Sequence, residues 1–127
     1  MMEQAKLHIN ELNKTFKISH TNKNMRKSYQ FQLTMAKLGQ LNDVDDVNEQ
    51  MKQVAEYSDV LVDFPADVLN LTDKQKEALD DMEQDKLQEL DVTLALKIQG
   101  MNNAQIADVI DSMRDSQNGD ADSKSEK

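Results

Sequence analysis

Lys6-Leu7-His8-Ile9-Asn10 alternates polar and apolar positions, and Lys14-Thr15-Phe16-Lys17-Ile18 does so again. Period-two alternation suits half-buried strands. Between the two runs, Glu11-Leu12-Asn13 supplies a turn-compatible asparagine. The pattern predicts a β-hairpin over residues 5–19. A lone hairpin is marginal in water and must lie on something; the helix that follows is the candidate support. Thr21 or Asn22 can cap that helix. Met25, Tyr29, Leu33 and Ala36 then recur at helical spacing, joined by Phe31, Met35 and Leu38. So wide a stripe places a helix over 22–38 against the core, with Gly39 and Asn42 as stop signals.

Val44, Val47, Met51, Val54, Ser58 and Leu61 follow at alternating spacings of three and four. They form an a/d-like seam on a helix over about 43–62. The seam is too short for a coiled coil, so a packed helix is expected. Asp43, Asp45 and Asp46 complement the dipole of its first turn, and Phe64-Pro65 breaks the pattern. Thr72-Asp73-Lys74-Gln75 has the form of a capping box. It opens a charged stretch over 73–99 whose buried side is marked by Leu79, Met82, Leu87, Leu90, Leu94 and Ile98. The phase slips near Asp85, so one helix or two fit. Gly100 ends the stretch. A last helix over 103–114 turns Ile106, Val109, Ile110 and Met113 inward. Residues 115–127 hold no apolar side chain larger than Ala121, which predicts a disordered acidic tail. The fold expected is α+β and predominantly helical: an N-terminal β-hairpin, then four or five α-helices, in a single domain over 1–114.

Composition narrows the picture. The apolar fraction of 38% is below the usual ~45–50%, so the core is modest and self-association is one way to bury more surface. There is no cysteine, hence no disulfide framework and no thiolate chemistry. The start, MMEQAKLHINELNK, lacks the apolar centre of a secretory signal, and no run approaches a membrane span. A soluble intracellular protein is expected. The net charge of −9 is unevenly spread: residues 1–41 carry +5 and residues 42–127 carry −14. That asymmetry fits two faces with different partners, or halves that attract one another within a chain or between copies. The acidic body disfavours nucleic acid, which needs cations to displace counterions from phosphates.

Little in the chain points to catalysis. His8 and His20 stand in no metal-ligand spacing. Asp43-Val44-Asp45-Asp46 lacks the glycine and terminal glutamate of a calcium loop. Asp80, Asp81 and Glu83 read as a solvated helix face. With three glycines in all, no phosphate-cradling loop or nucleophile elbow occurs. No enzyme activity, cofactor or metal is expected. Leu94 to Ile110 does resemble a helix–turn–helix, with Gly100 at the turn. Residues 101–116, however, offer one basic side chain, Arg114, against Asp108, Asp111 and Asp115. A DNA-binding regulator using residues 94–113 is therefore the second reading, and a structural virion subunit the third.

Eight methionines are many for 127 residues. Methionine fills irregular core gaps and also suits adaptable binding surfaces. Residues 6–18, KLHINELNKTFKI, followed by a helix containing Tyr29-Gln30-Phe31-Gln32-Leu33, resemble the tail assembly chaperones of long-tailed phages and prophages of Gram-positive bacteria. The specific part of the likeness lies in residues 5–40, and the order of elements extends it over most of the chain. The charged helical middle and the helix–turn–helix-like segment depart from the family's pattern.

The resemblance implies a non-structural assembly factor in the host bacterial cytoplasm, absent from the mature virion. Its partners would be the tape-measure protein and the tail-tube protein, with a homo-oligomer allowed and no membrane. It also implies that a longer form made by ribosomal frameshifting can exist. The family has no shared catalytic residues. The partner-binding surface expected here is Met25, Tyr29 and Leu33 of the first helix with Val44, Val47, Met51, Val54 and Leu61 of the seam.

Overall fold

The structure, a computed structural model, describes residues 5–38 and 46–125, with side chains through Asp115. The fold is α+β and predominantly helical, an antiparallel hairpin followed by five helices. Strands β1 (Ala5–Ile9) and β2 (Lys14–Ile18) pair with Leu7 opposite Phe16. A short 3-10 turn over Asn10–Leu12 joins them and closes on Asn13, whose φ of 49° asparagine tolerates better than most residues. Alternation then buries Leu7, Ile9, Phe16 and Ile18 together and leaves Lys6, His8, Thr15 and Lys17 in water. The hairpin rests on α2 (Val47–Leu69) and α4 (Gln84–Ile98), with its turn against α3 (Asp73–Asp80). The helix next in sequence is thus not its main support.

Helix α1 (Asn22–Leu38) is capped by Thr21, whose hydroxyl accepts from the Asn24 amide at 3.1 Å. Its inward face differs from the expected stripe. Asn24, Ser28 and Phe31 are buried, with Met35 and Leu38 partly so, whereas Tyr29 is 50% and Leu33 62% exposed. The reason is that both buried polar residues have hydrogen-bond partners. Asn24 Nδ2 donates to the Ser19 carbonyl at 3.0 Å. Ser28 Oγ donates to the Met25 carbonyl at 2.7 Å and accepts from Gln99 Nε2 at 3.1 Å. Satisfied in this way, they sit in the core without the penalty an unpaired group would carry. Phe31 then stacks on Phe64 of α2, ring centroids 4.9 Å apart and planes 3° from parallel.

Helix α2 begins after Asp46, which caps it by accepting from the Asn48 amide at 2.9 Å. Gly39, Asn42, Asp43, Val44 and Asp45 lie outside the described residues. The helix does not stop before Phe64-Pro65 but runs through Pro65 to Leu69, ending on Asn70 with φ 55°. A proline inside a helix costs about 3 kcal/mol. Burial of Phe64, Pro65, Ala66, Val68 and Leu69 in one stretch offsets this, since a fully buried large apolar side chain contributes ~1.5–3 kcal/mol.

The charged stretch 73–99 is two helices, α3 and α4, parted at residues 81–83. In a single helix Leu87 would sit about 80° around the axis from Leu79; the break lets both reach the core. Thr72 and Gln75 form the expected capping box at α3. Gly100, at φ 91°, ends α4, with the Met101 amide donating back to the Leu96 carbonyl at 3.0 Å. His20 Nδ1 donates to the Ile98 carbonyl at 2.8 Å, so this histidine closes the same helix end. Asn102 and Gln105 exchange hydrogen bonds to open α5 (Asn103–Ser125). That helix passes residue 114, where the pattern placed its end; no proline follows Met113 to stop it.

One buried residue breaks the rule that interior polar groups are paired. Asp91 of α4 is fully buried, and neither carboxylate oxygen has a hydrogen-bond partner among the described residues. Burial raises its pKa well above the usual carboxylate value. The hydroxyl of Tyr57, also buried, donates to Gln88 Oε1 at 2.7 Å; desolvation and then the Asp91 charge push its pKa up. A raised carboxylate pKa means the folded chain holds a proton that the unfolded chain releases near pH ~3.9. Stability from this group is greatest at acid pH and falls as pH rises to the folded value. Asp91→Asn removes the titration. The melting temperature of Asp91→Asn minus that of the parent should therefore grow with pH across this window and then level off. Thermal unfolding from pH 4 upward, at steps of about one unit, checks this; a flat difference would show that Asp91 stays ionised in the fold.

Candidate functional site

Partly covered apolar side chains collect in a groove of about 430 Å³ between α1 and α5, floored by α4. Phe31, Gln32, Met35 and Ala36 form the α1 wall, Val109 and Met113 the α5 wall, and Val92, Ala95 and Leu96 the floor. Gln32 is the one polar residue of the lining. Four further clefts differ in kind, each edged by charge: Lys27 with Asp63 and Asp67; Lys37 with Glu49 and Glu56; Lys86 with Glu11, Glu89 and Arg114; and Asp59, Asp63, Asp73 and Asp80 around Lys76. A groove lined by aliphatic and thioether side chains, one aromatic ring and a single amide offers no titratable group to activate a nucleophile or move a proton. It can cover an apolar segment, most naturally one face of a helix.

The methionines set its character. Among the described residues Met25, Met35, Met82, Met101 and Met113 are all partly exposed at the edge of the core, Met51 is 65% exposed, and none is fully buried. They line the periphery, where an unbranched, polarisable side chain can repack against varied surfaces. The α1 wall continues outward through Tyr29 and Leu33, which neighbour Gln32 and Ala36, each at a helical spacing of three.

The α5 wall is held lightly. Ile106 is its one buried apolar residue among those described; Val109, Ile110 and Met113 are half-covered. Lys97 Nζ donates to Asn103 Oδ1 at 2.8 Å near its start. Further along, Arg114 donates through Nε and Nη2 to the two oxygens of Glu89 at 2.9 and 2.8 Å. The hydrogen bond from Arg114 is the chief reason the Glu89 pKa is lowered, and the same bond raises that of Arg114. Paired in this way, Arg114 is not free to meet a phosphate. The helical hairpin of α4 and α5 exists, but its exposed side carries Asp108, Asp111 and Asp115.

Of the residues expected to bind a partner, Tyr29 and Leu33 lie on α1 beside the groove and are exposed, while Met25, an earlier residue of the same helix, is half-buried. Val47, Met51 and Val54 are exposed, on a separate ridge of α2. Leu61 is 1% exposed and belongs to the core, because the hairpin, α3 and α4 cover that half of α2; it is not a contact residue. Val44 lies outside the described residues. The groove's floor and far wall were missed. Val109 and Met113 read as inward residues of a short helix, and no sequence signal marks a helix with too few neighbours to cover its own apolar side.

Among the described residues, no group of three or more histidine, cysteine or acidic side chains could hold a metal. No described helix is long and apolar enough to cross a membrane. A family model described as phage tail assembly chaperone proteins, TAC, matches residues 5–115. No curated protein and no solved structure matches the chain.

The light attachment of α5 has a measurable consequence. Exposed ion pairs add little to stability, so Arg114→Ala should leave the global melting temperature nearly unchanged. It should nevertheless speed amide hydrogen exchange along 106–114 while leaving α2 and α4 protected. Exchange rising equally in all helices would mean that α5 opens only when the whole domain does.

Proposed function

Since the chain belongs to the phage tail assembly chaperone family, we propose that the α1–α4–α5 groove holds an apolar helical segment of the tape-measure protein and keeps it soluble while the tail is built. The observation that carries the reading is the groove itself, lined by apolar and methionine side chains in a chain of net charge −9. The apolar lining shields the client's exposed face, and the acidic exterior keeps the complex dispersed by like-charge repulsion. A tape-measure segment so held stays available while tail-tube subunits are recruited. The protein acts by binding alone, in the host bacterial cytoplasm, and does not enter the finished particle.

The test is co-expression with the tape-measure protein. Ala36→Arg places a charge in the groove from a position that is already exposed, so the fold should survive. It is expected to weaken capture of the client at least about tenfold, the equivalent of ~1.4 kcal/mol, and to return the tape-measure protein to the insoluble fraction. Leu33→Asp beside the groove should act in the same direction and less strongly. Full solubilisation by Ala36→Arg would remove the groove from the mechanism. Detection of the chain in purified virions by mass spectrometry would favour a structural subunit instead.

A further inference from the structure

Helix α5 sits in its place much as a bound peptide would. From Asn103 to Asp115 the side chains that are not exposed are Ile106, Val109, Ile110 and Met113. Offsets of three, four and seven from the first are those by which an amphipathic helix anchors in an apolar groove. Of these anchors Ile106 alone is fully buried, whereas α2 and α4 each bury a run of apolar side chains.

The seat is wider than its occupant. Helix α4 forms the floor of a trough whose sides are the hairpin and α1. Helix α5 lies along the middle. Val109 and Met113 edge the groove on the α1 side, and Ile110 and Arg114 edge a cleft of about 370 Å³ on the hairpin side. A helix belonging to the core closes such gaps, since protein interiors pack as densely as organic crystals. The outer side of α5 carries Asp108, Asp111 and Asp115, so the net charge of −9 opposes its seating. Its ion pair to the floor, Arg114–Glu89, is exposed on the arginine side. Apart from its chain neighbours, no atom lies within 4 Å of where a Gly100 β-carbon would stand. The joint between α4 and α5 is thus not packed against the body at that point.

We infer that α5 is a built-in occupant of the client's seat, displaced when an apolar helix of the tape-measure protein takes its place between the hairpin and α1. Resting on the function proposed above, this turns α5 from a wall of the groove into a placeholder within it. The incoming helix carries apolar side chains at the same offsets, with neutral or basic residues where α5 has Asp108 and Asp111. Such a helix is attracted by the acidic body that repels α5. Until it arrives, α5 helps keep Ala95 and Leu96 of the floor out of water.

With no cysteine in the chain, a thiol can be placed where it reports. Ala95→Cys sets one on the floor, and its rate of alkylation by a small maleimide reads lifting of α5 without any client. Val109→Ser with Met113→Ser loosens α5 at two half-buried side chains, and helical circular dichroism checks that the fold survives. The serine pair should speed alkylation at least about tenfold. Without the thiol, it should raise capture of the tape-measure protein severalfold. A wall gives the opposite sign, because the groove loses two apolar groups. Conversely, Glu89→Cys joined to Arg114→Cys by a short bismaleimide holds α5 down. Capture should then fall at least about tenfold against the same chain unjoined. Unchanged alkylation overturns the inference, as does capture weakened by the serine pair or undiminished by the cross-link. Faster alkylation with no capture of the tape-measure protein by the parent chain overturns the proposed function instead, and the displacement with it.

Discussion

The stacked rings of Phe31 and Phe64 tie the first helix to the rest of the molecule, and much else depends on that contact. The chain has only five aromatic residues, and α1 buries little else of comparable size. Around the stack, Ser28 reaches Gln99 at the end of α4, and Lys27 meets Asp67 of α2 at 3.3 Å. Together these fix both the height and the rotation of α1. The groove follows from them. With Phe31 turned toward α2 and α4, Met35 and Ala36 are left facing the gap that α5 borders, and Tyr29 and Leu33 are left in water.

What the sequence disclosed and what it hid divide along physical lines. The hairpin, the Thr72–Gln75 box and the Gly100 turn were legible because each is decided by a few adjacent residues and their own backbone preferences. The rotation of α1 was not legible. Its inward face contains Asn24 and Ser28, which look solvent-bound until their partners Ser19 and Gln99 are known. The continuation of α2 through Pro65 was hidden for a related reason, since a local penalty is overridden by burial that involves distant elements. Asp91 falls at helical spacing between Leu87 and Leu94, on the buried side of α4, but only the packing shows that its carboxylate is fully enclosed. For the site, the exposed residues of α1 and the α2 seam were picked out by periodicity, although the α1 stripe was assigned to the core. The groove's other wall needed the third dimension.

The charge asymmetry also takes on a definite meaning. Among the described residues only one ion pair, Lys27–Asp67, joins the basic first third to the acidic remainder; the other, Arg114–Glu89, lies wholly within the acidic part. Ion pairing among the described residues thus gives the two parts a single direct contact. Lys6 and Lys17 on the outer face of the hairpin, and Lys23 and Arg26 on α1, face solvent. The acids of α2 and α3 do likewise around Asp59, Asp63, Asp73 and Asp80. Charge on this fold acts outward, setting solubility and approach, while the core and the groove are left to apolar contact.

An apolar groove on so small a chain asks for an explanation, because it is a liability when uncovered. The groove between α1 and α5 is bordered by Met35 and Met113, side chains that can repack against varied surfaces. Under the function proposed above, contact with such a lining would be modest in strength, which suits a protein that must hand its client on. The lightly attached α5 wall would serve the same end, since a wall held by Ile106 and an exposed ion pair can shift at small cost.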